Sequence, residues 1–288
     1  MFGSMDKLLN CLYEHGLANC GENWLDEIRG SLTILRDSYA KLARAPGLQI
    51  DYSQPSTQVA YVYGYAVGRC AFTTELLRRY ACEMNGPLFR GSPLKVVSLG
   101  GGPGSELAGL IEYLSDPSIG ERVSEIKYTV FDKCDNWRTV IENFVQILDC
   151  SIKVSVNFVN CDFTSEQDIE KNSLNKFDLV ICSYLMSELS AHSEPMRISE
   201  NLRNLFSTMK PGANIFYNDT SAYASYNFFN ESRKRVQGLR EITEIKDVAI
   251  NCSHLQLGPT YNLLSQKLEH NPRLGGSVLS KFLVRDST

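Results

Sequence analysis

The stretch KVVSLGGGPGSELAGL at positions 95–110 constrains this chain more than any other. Val96, Val97 and Leu99 form a short apolar run that stops abruptly at Gly100-Gly101-Gly102-Pro103-Gly104. Beyond the glycines, Leu107, Leu110, Ile111 and Leu114 recur at helical spacing, so the segment reads as strand, tight turn, helix. Glycine suits such a turn because it adopts positive φ without steric cost and lets a ligand approach bare backbone. A turn of this kind opens a nucleotide-binding α/β layer, and its spacing bears on which nucleotide.

A dinucleotide places its pyrophosphate on the helix N-terminus and favours G-x-G-x-x-G or G-x-G-x-x-A. Here Gly100, Gly102 and Gly104 give G-x-G-x-G, and the third position of the dinucleotide pattern falls on Ser105. Glu106 sits in the first helical turn, where its charge suits the helix dipole but repels a pyrophosphate. A carboxylate there favours a ligand with positive charge, and S-adenosylmethionine carries a sulfonium, an ammonium and no phosphate. An NAD-linked oxidoreductase survives as a reading only if Asp132, at the end of the next strand, contacts an NAD ribose.

At 288 residues, with 43% hydrophobic and 22% charged residues, the chain can bury a full core as one large domain or a domain with an appendage. A net charge of −4 advertises no global basic field for nucleic acid, although a local groove is compatible with it. The nine cysteines form no C-x-x-C pair and lie in apolar segments, which points to a reducing compartment, cytosol or nucleus. No metal-ligand spacing, signal-peptide pattern or membrane-length apolar run is present in the sequence.

Residues 1–90 are expected to form a helical extension or lid, and residues 91–288 the α/β domain. In the first part, Trp24, Leu25, Ile28, Leu32, Leu35, Tyr39 and Leu42 step along one helix face, with Asn23 as N-cap and Pro46-Gly47 as terminator. A second helix follows Pro55, and on it Tyr61 and Tyr65 share a face with Arg69, either as core with a snorkelling arginine or as part of a lid. From residue 94 onward strands are expected at 95–99, 126–131, 153–159, 177–183, 213–218 and near 277–285. Helices are expected at 105–115, 136–148, 195–209 and 223–238. A seventh strand requires a further one within 244–257.

GGGPGSE after a hydrophobic strand resembles motif I of the class I S-adenosylmethionine-dependent methyltransferases, with Ser98 where that family usually has an acid. The resemblance covers about residues 94–220. It implies a Rossmann-like α/β fold with a seven-stranded sheet, the closing segment SVLSKFLVRD being its antiparallel edge strand. It also implies S-adenosylmethionine as cofactor. Gly100, Gly101, Gly102, Gly104 and Glu106 would form the turn that holds it, Asp132 would bind the ribose hydroxyls, and Asp162 the adenine amino group with Phe163 or Cys161 beside the ring. Lys133 and Ser183 are the remaining expected cofactor contacts.

The methyl group would point over the end of the fourth strand, at Tyr184-Leu185-Met186-Ser187-Glu188-Leu189. No Asn-Pro-Pro-Tyr or Asp-Pro-Pro-Tyr stands there, which disfavours base-amine methylation by that arrangement. Glu188, Asp219 and Tyr184 are the candidate catalytic groups, a base being required only if the acceptor must lose a proton. SYLMSEL is similar to a segment of methyltransferase-like proteins of the mitochondrial small ribosomal subunit, whose cysteine cluster this chain lacks. That likeness, with Tyr223 and Tyr226 beside Arg233-Lys234-Arg235, slightly favours RNA as acceptor over a small molecule or a protein. A catalytically silent methyltransferase fold serving as a scaffold is the alternative, on the strength of Ser98.

Overall fold

The apolar run that precedes the glycines becomes the central strand of a seven-stranded sheet. The computed structural model describes residues 2–42, 50–89, 91–119 and 122–286. The strands are β1 (Leu94–Leu99), β2 (Glu125–Asp132), β3 (Lys153–Asn160), β4 (Leu179–Ser183), β5 (Asn214–Thr220), β6 (Leu239–Asn251) and β7 (Gly275–Arg285). Their order is β3-β2-β1-β4-β5-β7-β6. β1 to β5 pair in parallel, and β7 runs antiparallel to both β5 and β6. This is the Rossmann-like α/β architecture that the glycine turn and the alternating pattern lead one to expect.

Parallel strands covered on both faces read as continuous apolar runs, because neither side meets water. Val96 and Val97 are both fully buried, yet they belong to different cores on opposite faces of the sheet. On the Val96 face lie α1 (Phe2–Cys20), α2 (Trp24–Lys41), α3 (Pro55–Tyr61), α4 (Val67–Glu83), α5 (Ser105–Leu114), α6 (Trp137–Gln146) and, further along the chain, Tyr261 and Leu264. On the Val97 face lie α7 (Glu166–Lys171), α8 (Leu185–Ser190), α9 (Pro195–Ser207) and α10 (Tyr223–Arg233). The last helix is α11 (Pro259–Leu268).

Two expectations about the C-terminal third need correction. The helix expected over 223–238 stops at Arg233, because Lys234 is extended and Arg235 and Gly238 take positive φ, turning the chain into β6. β6 thereby begins earlier than the expected 244–257 and supplies the missing strand. β7 is antiparallel as expected but lies between β5 and β6 instead of at the edge. Its Lys281, only 2% exposed, is held there by Glu241 at 2.7 Å and Glu244 at 2.8 Å, both on β6. At the other end of the chain α2 ends at Lys41, and Asn23 occupies the N-cap position without a side-chain bond to it. The expected stop at Pro46-Gly47 lies outside the described residues. No helix among the described residues is long and apolar enough to cross a membrane.

The first and last helices are tied by a cap supplied from a distance. The N-terminus of α11 has Gly258 at its cap, with no side chain of its own to offer. The carboxylate of Asp6 on α1 takes its place, accepting from the Thr260 and Tyr261 N–H groups at 2.9 and 3.1 Å and from the Thr260 hydroxyl at 3.1 Å. A Cβ at position 258 would lie 2.3 Å from Asp6 Cγ, so glycine is what admits the carboxylate. Asp6→Ala leaves buried helix donors unpaired and is expected to lower the unfolding free energy by about 1–3 kcal/mol. Urea denaturation measures this, with Asp6→Asn recovering part of the loss.

Candidate active site

In an open parallel sheet, ligands settle where strand order reverses, outside the carboxyl ends of the strands. β1 is that point here, with β2 and β3 on one side and β4 and β5 on the other. A cleft of about 760 Å³ opens there, walled by residues that follow β1, β2, β3 and β4 and roofed by residues 50–53 with Tyr61 and Arg69. Gly100 and Gly102 line it; Gly101, Gly104 and Glu106 do not.

The glycines divide by what surrounds them. Gly102 has φ +45, and the nearest atoms to an added Cβ are those of Trp137 at 3.7 Å. Gly104, at φ +89, would drive a Cβ to 2.2 Å from Ile141 Cδ1, and Gly101 would press one against Ser98 at 2.8 Å. Gly102 therefore keeps space over the turn, while Gly101 and Gly104 let the turn pack on the layer beneath. Ser98 is 1% exposed and faces that packing, not the cleft. Glu106, 3% exposed, accepts from the Ser105 hydroxyl at 2.9 Å, and burial pushes its carboxyl up against the pull of Arg69.

Asp132 ends β2 facing the turn. Its oxygens accept the Gly102 N–H at 3.1 Å and the Cys134 N–H at 2.9 Å. Burial outweighs these bonds and pushes its carboxyl up to about 6. Lys133 lines the same wall. Asp162, past the end of β3, accepts the Thr164 N–H at 2.9 Å, and the buried Phe163 next to it has its carbonyl held by Asn201 at 3.0 Å. Ser183, at the end of β4, donates to Asn218 Oδ1 at 2.5 Å. Asp132, Lys133, Asp162, Phe163 and Ser183 border one cavity.

The roof was not fully visible in the sequence. The guanidinium of Arg69 lies over the rings of Tyr184 at 4.4 Å, Tyr61 at 4.9 Å and Tyr39 at 5.5 Å, and it donates to the Tyr61 hydroxyl. Tyr52 donates to Glu188 Oε1 at 2.9 Å, which leaves its oxygen to accept from Tyr39 at 2.7 Å. Tyr52 and Tyr61 also pack on Trp137, with ring centroids at 5.9 and 5.6 Å. Burial raises the Glu188 carboxyl, while Arg69 and the Tyr52 bond lower it. Tyr39, Tyr52 and Trp137 are the participants sequence reasoning did not select; the only local signal was the density of tyrosines between 39 and 65.

Asp219 and the basic triplet are placed elsewhere. Asp219 is 0% exposed, accepts the Ser187 N–H at 2.9 Å and the Thr220 N–H at 2.7 Å, and does not line the cleft. It braces α8 on β5. Arg233 pairs with Glu241 at 2.8 Å and Lys234 with Glu231 at 3.2 Å, beside a separate depression that also holds Arg235. Tyr223 is 77% exposed and borders neither this depression nor the cleft. The triplet's charge is thus largely spent on carboxylates of the same surface. The segments following β4 and β5 do face one another, across a second cavity of about 660 Å³ that shares Leu42, Arg69 and Tyr184 with the first.

No family model matches the chain, and no curated protein sequence matches it. Among solved structures, the chain is similar to loganic acid methyltransferase with SAH at 9% identity, over 84% of this chain and 99% of that one, with a TM-score of 0.49. It is similar to an S-adenosylmethionine-dependent methyltransferase from Clostridium acetobutylicum at 11% identity, over 88% and 99%, with a TM-score of 0.43. It is similar to CrArsM, an arsenic(III) S-adenosylmethionine methyltransferase from Chlamydomonas reinhardtii, at 12% identity, over 76% and 74%, with a TM-score of 0.39. What each of these acts on belongs to that protein.

The two kinds of glycine should respond differently to substitution. Gly104→Ala combines a positive-φ cost with a shifted Ile141, and a loss of about 1–3 kcal/mol in thermal or urea unfolding is expected. Gly102→Val places a branched side chain in the open space over the turn. It should keep a cooperative unfolding transition, at about 1–2 kcal/mol of backbone strain, while closing the cleft to ligand.

Proposed function

We propose that the chain is an S-adenosylmethionine-dependent methyltransferase and that the cleft over the glycine turn is its cofactor site. The observation that carries this reading is the open, positive-φ Gly102 bonded through its N–H to Asp132 within an acidic cleft. Among the described residues, five carboxylates line that cleft (Asp51, Asp132, Asp135, Asp162 and Glu188) against two cations, Arg69 and Lys133. Such a lining favours a ligand with sulfonium and ammonium charges and opposes a pyrophosphate. Ser98 carries less weight for a silent scaffold than the sequence alone gives it, since its side chain faces packing and not the cleft.

In this reading Asp132 accepts from the ribose hydroxyls with the acceptor capacity that its two backbone bonds leave free. Asp162 and Phe163 hold the adenine, and Gly100, Gly102 and Ser183 form the floor. When bound, the cofactor supplies a methyl group on a cationic sulfur that departs as a neutral thioether. The chain's task is alignment and exclusion of water. Tyr184 and Arg69 stand where this cleft adjoins the second cavity and line both. Glu188, which borders the cleft and has its carboxyl raised by burial, is the group placed to take a proton if the acceptor has one to lose; the sealed Asp219 is not. A reducing compartment, cytosol or nucleus, fits the nine cysteines.

Calorimetry with S-adenosylhomocysteine and with NAD tests the assignment, and we expect heat with the first only. Asp132→Ala should weaken S-adenosylhomocysteine by about 2–3 kcal/mol. Protonating Asp132 removes a charged acceptor, so affinity should fall as pH drops through about 6. The fall should approach tenfold per pH unit below it and flatten in Asp132→Asn. Absence of heat with the thioether in folded protein would support the scaffold instead.

A further inference from the structure

We infer that the second cavity binds the methyl acceptor, and that this acceptor is a small organic anion with a flat, apolar body; the acceptor role rests on the cofactor reading given above. The cavity adjoins the first through Leu42, Arg69 and Tyr184, which line both. A group presented at the Arg69–Tyr184 wall is therefore a neighbour of whatever fills the cofactor cleft.

The two cavities have opposite charge. The second is lined by Arg36, Arg69 and Arg273, with His270 beside them, and among the described residues by no aspartate or glutamate. Arg36 shares its charge with Asp37 at 3.2 Å on the exposed rim. Arg273 makes no ion pair among the described residues, its Nε reaching only the Gly275 carbonyl at 3.4 Å. A chamber with three guanidinium groups, one of them the half-buried Arg69 and one Arg273, unpaired among the described residues, favours carboxylate or phosphate, which Arg can grip with two parallel bonds. Tyr39 and Tyr65, which meet edge to face at 4.8 Å, form with Phe72, Ala222 and Ala224 an apolar wall, and the hydroxyl and amide groups of Ser187, Ser190, Thr220, Ser225, Asn271 and Ser277 stand among them.

Arg273 is also positioned in advance. Its N–H donates to the Gly64 carbonyl at 2.8 Å, and a Cβ on Gly68 would lie 2.1 Å from its carbonyl oxygen, so bare helix backbone receives the loop. Tyr63 donates to the His270 carbonyl on the same loop. The Gly68 contact comes from the first turn of α4, and the Tyr63 and Gly64 contacts from a π-helical turn, Val62–Ala66, set between α3 and α4. Such turns recur where a helix is reshaped for function. A chamber of about 660 Å³ suits a small molecule. The triplet, with Arg233 and Lys234 paired to carboxylates, lies at a different depression and does not line this cavity.

The test is ligand-observed NMR and calorimetry on the full chain, with and without S-adenosylhomocysteine. The probes are benzoate, cinnamate, indole-3-acetate and phenyl phosphate, against the matching neutral amides, benzyl alcohol and a single-stranded RNA oligonucleotide. At least one aryl anion should bind and its neutral counterpart should not, with the carboxylate and phosphate arms showing which head group is preferred. Arg273→Glu and Arg36→Glu, both at exposed side chains, should each weaken that anion tenfold or more. S-adenosylhomocysteine affinity and the circular dichroism spectrum should stay unchanged. Failure of every aryl anion to bind wild-type protein overturns the inference. Equal binding of the neutral analogues overturns it too, as does indifference to both charge reversals or RNA being the probe that Arg273→Glu releases. Aryl-anion binding that obeys these rules in a protein giving no heat with S-adenosylhomocysteine would keep the anion chamber and remove the cofactor reading.

Discussion

Asp132 joins the end of β2 to the glycine turn at the end of β1 through one carboxylate shared between the Gly102 and Cys134 N–H groups. The Gly100 N–H adds a second tie, to the Phe131 carbonyl at 2.7 Å. These bonds fix two neighbouring strand ends relative to one another, which glycine's freedom would otherwise leave loose. Trp137 then packs under Gly102, and Tyr52 and Tyr61 pack on Trp137. The roof of the cleft is thus registered on its floor through one buried indole. Removing the carboxylate would loosen the floor before it altered any contact made by the helices above.

Arg69 has an analogous place between the two cavities. A cation facing the acidic cleft on one side and other arginines on the other would be poorly held by charge alone. Its position is fixed by three tyrosine faces and the Tyr61 hydroxyl, which stabilise a guanidinium without neutralising it. The Tyr39–Tyr52–Glu188 chain of hydrogen bonds holds the Tyr39 ring and reaches from α2 to α8. Aromatic residues therefore separate an acidic chamber from a basic one while leaving both charges available to ligands.

The sheet was legible in the sequence wherever burial on both faces produced unbroken apolar runs, from β1 to β5. It was less legible at β6, whose alternation is diluted by charges because it is an edge strand and half exposed. The family resemblance put β7 at the edge, whereas its Lys281 is held inside the sheet by carboxylates of β6, some forty residues earlier at Glu241. In the site, residue types at strand ends located Asp132, Lys133, Asp162, Phe163, Ser183, Tyr184 and Glu188 around one cavity. The spacing of glycines could not say which of them face a ligand. That depends on Ile141 and Ser98 lying beneath Gly104 and Gly101, a fact of packing with no local signature. Tyr52 is invisible for the same reason, since its partner Glu188 is 136 positions away.

The burial of Asp219 bears on the chemistry that the site can support. A carboxylate closed behind Ser187, with both oxygens engaged by backbone N–H groups, is a brace between α8 and β5 and has no path to an acceptor. Burial raises it to about 6, which measures the cost of keeping the charge inside and gives no access to solvent. Glu188 is then the carboxylate of the catalytic candidates that reaches the cavity, and it already accepts a proton-bearing hydroxyl from Tyr52. On the methyltransferase reading proposed above, a single cleft-facing carboxylate among these candidates suits an acceptor that arrives already ionised, for which alignment suffices and no proton need be removed. The arginines of the adjoining chamber favour ligands of that kind.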